Sequence, residues 1–193
     1  MEIEFDQPAL LVLDVQKGFD EPYWGERNNK HAEEKIAFLL GEWRKKQWEV
    51  IHTQYLSLNP ESPLYYKKEA GIQFKEGCEP LPDETVFQKH VNSAFIGTDL
   101  QKHLEEKKIQ HVVITGLSTQ HCVSTTTRMS GNLGFLTYLV CDATAAFELK
   151  DHIGYHFSAE EIFRAELAML NKEFATILSA EELLSKITLV IKE

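Results

Sequence analysis

Short apolar runs of strand length alternate along this chain with stretches whose apolar residues recur at helical spacing, and this alternation limits the fold more than any other feature. Ala9 to Asp14 is a continuous apolar run closed by an acid, the pattern of a strand buried on both faces. Lys30 to Lys46 sets Ile36, Leu39, Leu40 and Trp43 on one helical face, and Glu49 to Gln54 returns to strand. Thr85 to Gln88, Gln110 to Thr115, Phe135 to Cys141 and Phe174 to Leu178 read as further strands. Helices are expected over Thr98 to Lys108, Thr119 to Asn132, Ser158 to Leu170 and Ser179 to Lys186, the third opening on a capping box at Ser158-Ala-Glu-Glu. Strands joined through helices must run parallel, because only a crossover brings the chain back to the same end of a sheet. The expectation is one α/β domain over residues 1–193, a three-layer α/β/α sandwich around a mostly parallel central sheet.

One stretch breaks the alternation. Asn59 to Glu84 holds Pro60, Pro63, Pro80 and Pro82 with several charges and little periodicity, so it reads as a long surface excursion. Excursions of that length are uncommon in compact domains and often line a site.

Composition removes several classes of function. A net charge of −10 disfavours nucleic acid and anionic membrane as partners, since both require a basic surface. No apolar run reaches bilayer length, and the acidic start Met1-Glu-Ile-Glu-Phe-Asp6 lacks the basic-then-apolar order of a leader. Cys78, Cys122 and Cys141 are odd in number and far apart, which fits free thiols in the cytoplasm rather than disulfides or zinc. Gly-x-Gly-x-x-Gly, P-loop and His-Glu-x-x-His patterns are all missing, so no cofactor and no metal are expected.

In open α/β sheets, ligands collect outside the carboxyl ends of the strands. Asp14, Lys89 and Cys122 all fall there. Cys122 lies past the strand ending at Thr115-Gly116, in the expected first turn of a helix that Ser118 or Thr119 can cap. Helix N-termini and nearby cations lower a cysteine pKa from ~8.5 into a range of about 3.5–7.5, so a thiolate is expected. A carboxylate can serve as its base, and an ammonium favours the charged forms of both. Singly, each residue has a plainer account: a cap for Asp14, an exposed side chain for Lys89, core packing for Cys122. Their joint placement raises the chemical reading. His121 is the tempting base beside Cys122, yet helical neighbours point about 100° apart. Cys78 and Cys141 read as packing residues, and His52 as packed or site-lining.

Leu11-Val-Leu-Asp-Val-Gln-Lys-Gly-Phe19, Lys89-His-Val-Asn-Ser-Ala-Phe95 and Thr115-Gly-Leu-Ser-Thr-Gln-His-Cys-Val123 follow one another in this order. Together they resemble the isochorismatase-like cysteine hydrolase superfamily, which includes nicotinamidases and the N-carbamoylsarcosine and ureidoacrylate amidohydrolases. The resemblance implies a Rossmann-like topology and an Asp14–Lys89–Cys122 triad hydrolysing a C–N bond of a small molecule through a thioester. It also implies an oxyanion hole at the backbone N–H groups of Ser118 and Cys122, a cis peptide at Leu117–Ser118, and a homo-oligomer, dimer or tetramer. Gln16, Phe19 and Leu117 occupy positions that line the pocket in relatives.

Two departures narrow this. Nicotinamidases carry an Asp-x-His metal motif where this chain reads Gln54-Tyr-Leu-Ser57, so a metal-bound nicotinamidase is not expected. Isochorismatases proper cleave a vinyl ether without a nucleophilic cysteine, and this chain has one. Two alternatives remain open at this point: a vinyl ether hydrolase, and a non-catalytic protein using Cys122 as a redox-sensing thiol.

Overall fold

A computed structural model describes residues 7–190 of the chain; the acidic segment 1–6 and residues 191–193, and with them the ends of the expected 1–193 domain, lie outside the described residues. The continuous apolar run forms β1 (Ala9–Leu13), and every one of its residues is buried. The crossover through α1 (Ala32–Lys46) leads to β2 (Val50–Tyr55). The excursion, with α2 (Glu69–Ile72) as its only helical turn, leads to β3 (Thr85–Lys89). There follow α3 (Leu100–Glu106), β4 (His111–Leu117), α4 (Ser124–Asn132) and β5 (Leu136–Ala145). A small hairpin of β6 (Leu149–Lys150) and β7 (His156–Phe157) precedes α5 (Ala159–Leu170), β8 (Thr176–Leu178) and α6 (Ala180–Val190).

Six strands form one parallel sheet in the order β3-β2-β1-β4-β5-β8. Alternation along β1 divides the core. Leu10 and Val12 pack with Ile36, Leu39, Leu40 and Trp43 of α1, and α6 joins them through Leu183 and Ile187. Ala9, Leu11 and Leu13 face the other layer, where Leu100 and Leu104 of α3 meet Val123, Met129 and Leu170. The three-layer α/β/α architecture expected from the alternation is the architecture found. The capping box also forms: Ser158 Oγ accepts from the Glu161 N–H, and the Glu161 carboxylate accepts from the Ser158 N–H at 2.8 Å.

Three local expectations need correction. The helix expected from Thr119 starts as a single π-helical turn (Thr119–Val123), and regular α-helix begins only at Ser124. Ser118 occupies the cap position there with no side-chain cap hydrogen bond. β5 runs on to Ala145 because, after a register shift, Gly116 and Leu117 of β4 pair with Thr144 and Ala145. The β6–β7 hairpin was not anticipated, since two-residue strands leave no periodicity to read.

The excursion does not stand away from the body. Its backbone bonds back to the segment after β1, with Lys17 N–H on Gln73 O at 2.8 Å and Lys75 N–H on Val15 O at 2.9 Å. It therefore roofs the carboxyl ends of β1 and β2.

Candidate active site

The strand order reverses between β1 and β4. From β1 the chain builds outward through β2 and β3, then returns to the other side of β1 with β4. This is the switch point at which open α/β sheets bind ligands. The two strands approach closely there, at Leu13 beside Gly116. Gly116 has φ +118°, and a Cβ on it would stand 2.1 Å from the Leu13 carbonyl oxygen, so only glycine fits.

Asp14 follows β1 in the left-handed region at φ 52°, a conformation that a short polar residue tolerates. Its Oδ1 accepts from Thr53 Oγ1 at 2.6 Å, and its Oδ2 lies 2.6 Å from Lys89 Nζ. Lys89 closes β3, two strands from β1, beside Tyr55 in the register. Its side chain crosses β2 beneath the Tyr55 ring, the ammonium 4.7 Å from the ring centroid. The same ammonium donates to Cys122 Sγ at 3.3 Å and to the Val91 carbonyl at 3.2 Å. Cys122 sits in the π-turn after β4, 3% exposed, with its thiol 3.9 Å from Asn92 Oδ1. The Leu117–Ser118 peptide is cis. Asp14, Lys89 and Cys122, chosen from separate parts of the sequence, are brought together.

The electrostatics differ from the expectation in one respect. Burial pushes the Cys122 thiol well above its ordinary range, and the negative charge of Asp14 pushes it further in the same direction. Lys89 opposes both and does not prevail. Desolvation inside the fold thus works against the thiolate expected from a helix N-terminus. Burial would lower Lys89, but the charges of Asp14 and Cys122 outweigh it and raise the ammonium above its ordinary value. Lys89 is therefore held as an ammonium between Asp14 and Cys122.

A cavity of about 280 Å³ opens onto that sulfur. Phe19, Tyr23 and Trp24 form one wall, Ser57, Asn59 and Ser62 another, and Ser118 and His121 flank Cys122. Phe19 lies where it was expected. Gln16 does not line the cavity: it is fully buried, its amide donating to Tyr55 O and Ile72 O and accepting from the Tyr55 N–H. Leu117 is also fully buried, packed with Phe19, Leu64 and Phe147 behind the wall. Among the described residues no three His, Cys, Asp or Glu side chains gather as a metal site. Tyr55, Ser57 and Asn92 were missed as wall residues. Tyr55 and Ser57 had been singled out only as poor metal ligands, and Asn92, three residues past Lys89, was the one with a usable signal.

Fold and site together are those of a three-layer α/β hydrolase with a cysteine at its centre. Residues 8–182 match the Isochorismatase domain, and the chain belongs to the isochorismatase-like cysteine hydrolase superfamily. It is 51% identical over 180 residues to the isochorismatase family protein YrdC of Bacillus subtilis, covering 93% of this chain and 96% of that protein. It is 34% identical to Nicotinamidase 3 of Arabidopsis thaliana over 175 residues, 91% of this chain and 75% of the relative. A crystal structure described as a hydrolase of the isochorismatase family from Chromobacterium violaceum superposes with a TM-score of 0.92 at 37% identity, covering 97% of both chains. Among the described residues no helix is long and apolar enough to cross a membrane.

Proposed function

We propose that the protein hydrolyses a C–N bond of a small amide by nucleophilic attack of Cys122. The observation that carries this is the single ammonium of Lys89 in contact with both Asp14 Oδ2 and Cys122 Sγ, at the edge of a cavity. Burial disfavours a free thiolate, so deprotonation accompanies attack. Asp14 takes the Sγ proton as sulfur bonds to the carbonyl carbon, and Lys89, beside the sulfur, stabilises the negative charge that passes from the carboxylate to it. The backbone N–H groups of Ser118 and Cys122 are the proposed donors to the oxyanion, a contribution often worth ~3–4 kcal/mol per donor. Collapse of the tetrahedral intermediate breaks the C–N bond, and Asp14 returns the proton to the departing nitrogen. Water then attacks the thioester with Asp14 again as base, releasing the acid and restoring the thiol. The nicotinamidase relative supports amide chemistry, while Tyr55 and Ser57 stand where a metal motif would.

The test is a screen of small amides for ammonia release with intact-mass spectrometry of the quenched enzyme. The expected result is an acyl adduct on Cys122 and no turnover by Cys122→Ala. Amide turnover that survives in Cys122→Ala sinks this reading. Peroxide-driven modification of Cys122 with no amide turned over favours redox sensing.

A further inference from the structure

We propose that the cavity admits a flat, uncharged acyl group and excludes substrates that carry a carboxylate. The inference deepens the C–N hydrolase reading, and its turnover arm rests on that reading, but its main test does not. The walls differ in chemistry and share one property: none of the residues lining the cavity is Lys, Arg, Asp or Glu. The nearest charges, Asp14 and Lys89, have fully buried side chains and face each other at 2.6 Å. His121 is the remaining titratable group with a cationic form, and burial lowers its basicity while Glu166 opposes only in part. An incoming carboxylate would therefore lose its water and find no free cation.

The surroundings add to the barrier. A depression that shares Tyr23 with the cavity carries Glu21, Glu61 and Glu69 against a single lysine, Lys68. The whole chain bears a net charge of −10, so anions approach against the field.

The walls also favour a flat group. Phe19 and Trp24 lie with ring centroids 4.9 Å apart and a 34° tilt, and the Trp24 N–H is held by the Gly18 carbonyl at 2.8 Å. Trp24 thus presents ring surface rather than a donor. Across the cavity, Asn59 Oδ1 accepts from the Glu61 N–H and Ser62 Oγ from the Leu64 N–H, at 3.1 Å each. Their N–H and O–H groups remain as donors, suited to a neutral acceptor on the acyl group.

Two reagents of matched size separate the charge term from catalysis. Iodoacetamide is an uncharged primary amide and iodoacetate its anionic counterpart; in both, the thiol sulfur displaces iodide and loses its proton. The rate ratio of iodoacetamide to iodoacetate, read by peptide mass spectrometry at Cys122 of the folded protein, is normalised to the same ratio at half-buried Cys141. A normalised ratio of about ten or more is expected from the uncompensated charge. A ratio of one or below, which a site governed by the Lys89 ammonium would produce, overturns the proposal. Failure of iodoacetamide to label Cys122 overturns it as well, because the cavity would then not admit an uncharged small molecule. In Asn59→Arg, which sets a cation on the wall, the ratio should fall toward that of Cys141. Turnover supplies a second arm, comparing uncharged ring amides with carboxylate-bearing amides of similar size. Preference for the carboxylates overturns the substrate class and leaves C–N hydrolysis standing. Turnover of neither removes C–N hydrolysis, while the alkylation ratio still decides what the cavity admits.

Discussion

Two lysines of this protein are buried against carboxylates, and they do different work. Lys75 bonds Glu33 Oε1 at 2.6 Å and also reaches Asp20, while Arg27 grips both oxygens of Glu33 in a two-pronged pair, Oε1 at 2.7 Å and Oε2 at 2.9 Å. Two cations meet two anions, and the cluster ties α1, the excursion and the segment after β1 into one piece. Lys89 meets one carboxylate at 2.6 Å and one sulfur at 3.3 Å. Its charges balance only while the sulfur keeps its proton. The first cluster is complete as it stands; the second is complete in a form it must leave in order to react.

The largest expected effect belongs to Cys122. Cys122→Ala should reduce amide turnover by about a thousandfold or more. The same change should move stability by about 1 kcal/mol or less in urea unfolding, within the usual reach of a mild substitution. A large loss of stability would make the residue a packing element instead. Lys89→Met comes next in turnover and first in stability, costing about 3–5 kcal/mol because Asp14 is left buried without its cation. Adding Asp14→Asn, which keeps a short polar residue at φ 52° and removes the charge, should recover part of that stability and none of the activity, a coupling that a double-mutant cycle reads directly.

Glu33→Gln should cost about 1–3 kcal/mol, since Arg27 and Lys75 lose a charged acceptor. It should raise KM more than it lowers kcat, because the wall carrying Phe19 and Trp24 is anchored through Asp20 and Lys75. A matching fall in kcat alone would place this cluster in the chemistry. The remaining effect is one of pH. Burial would raise Glu33, but the bonds from Arg27 and Lys75 outweigh it and hold its carboxyl at about 2, against 4.5 ordinarily. A depressed carboxyl gives stability that is fully present above its unfolded value and lost as pH falls toward its folded one. Up to about 3 kcal/mol should therefore disappear between pH 4.5 and 2. Glu33→Gln should flatten that limb, and an unchanged acid profile in the variant would assign it to other carboxylates.

Much of this was readable in the residues. Ala9 to Leu13 announces a central strand because both faces must be apolar there, and Ser158 with Glu161 announces a helix start through chemistry local to four residues. Asp14, Lys89 and Cys122 were legible as strand-end residues. What was not legible depends on the order of strands. Lys89 reaches Asp14 only because β2 lies between β3 and β1 with Tyr55 as the surface it crosses, and periodicity carries no strand order. The burial of the Cys122 thiol was not legible for a related reason. A helix dipole can be inferred from local sequence, whereas desolvation depends on everything packed around the sulfur. Gln16 shows the same limit, since its amide is claimed by Tyr55 and Ile72, residues that only the fold brings beside it.

The placement of Trp24 has a practical consequence. Of the chain's three tryptophans, Trp43 and Trp48 pack edge to face at 5.7 Å on the α1 side of the sheet, remote from the cavity. Trp24 alone forms part of the cavity wall, its indole nitrogen pinned to Gly18. The protein therefore carries its own optical probe, and a change in its intrinsic fluorescence on titration would report occupancy without a label, a coupled assay or any bond being broken.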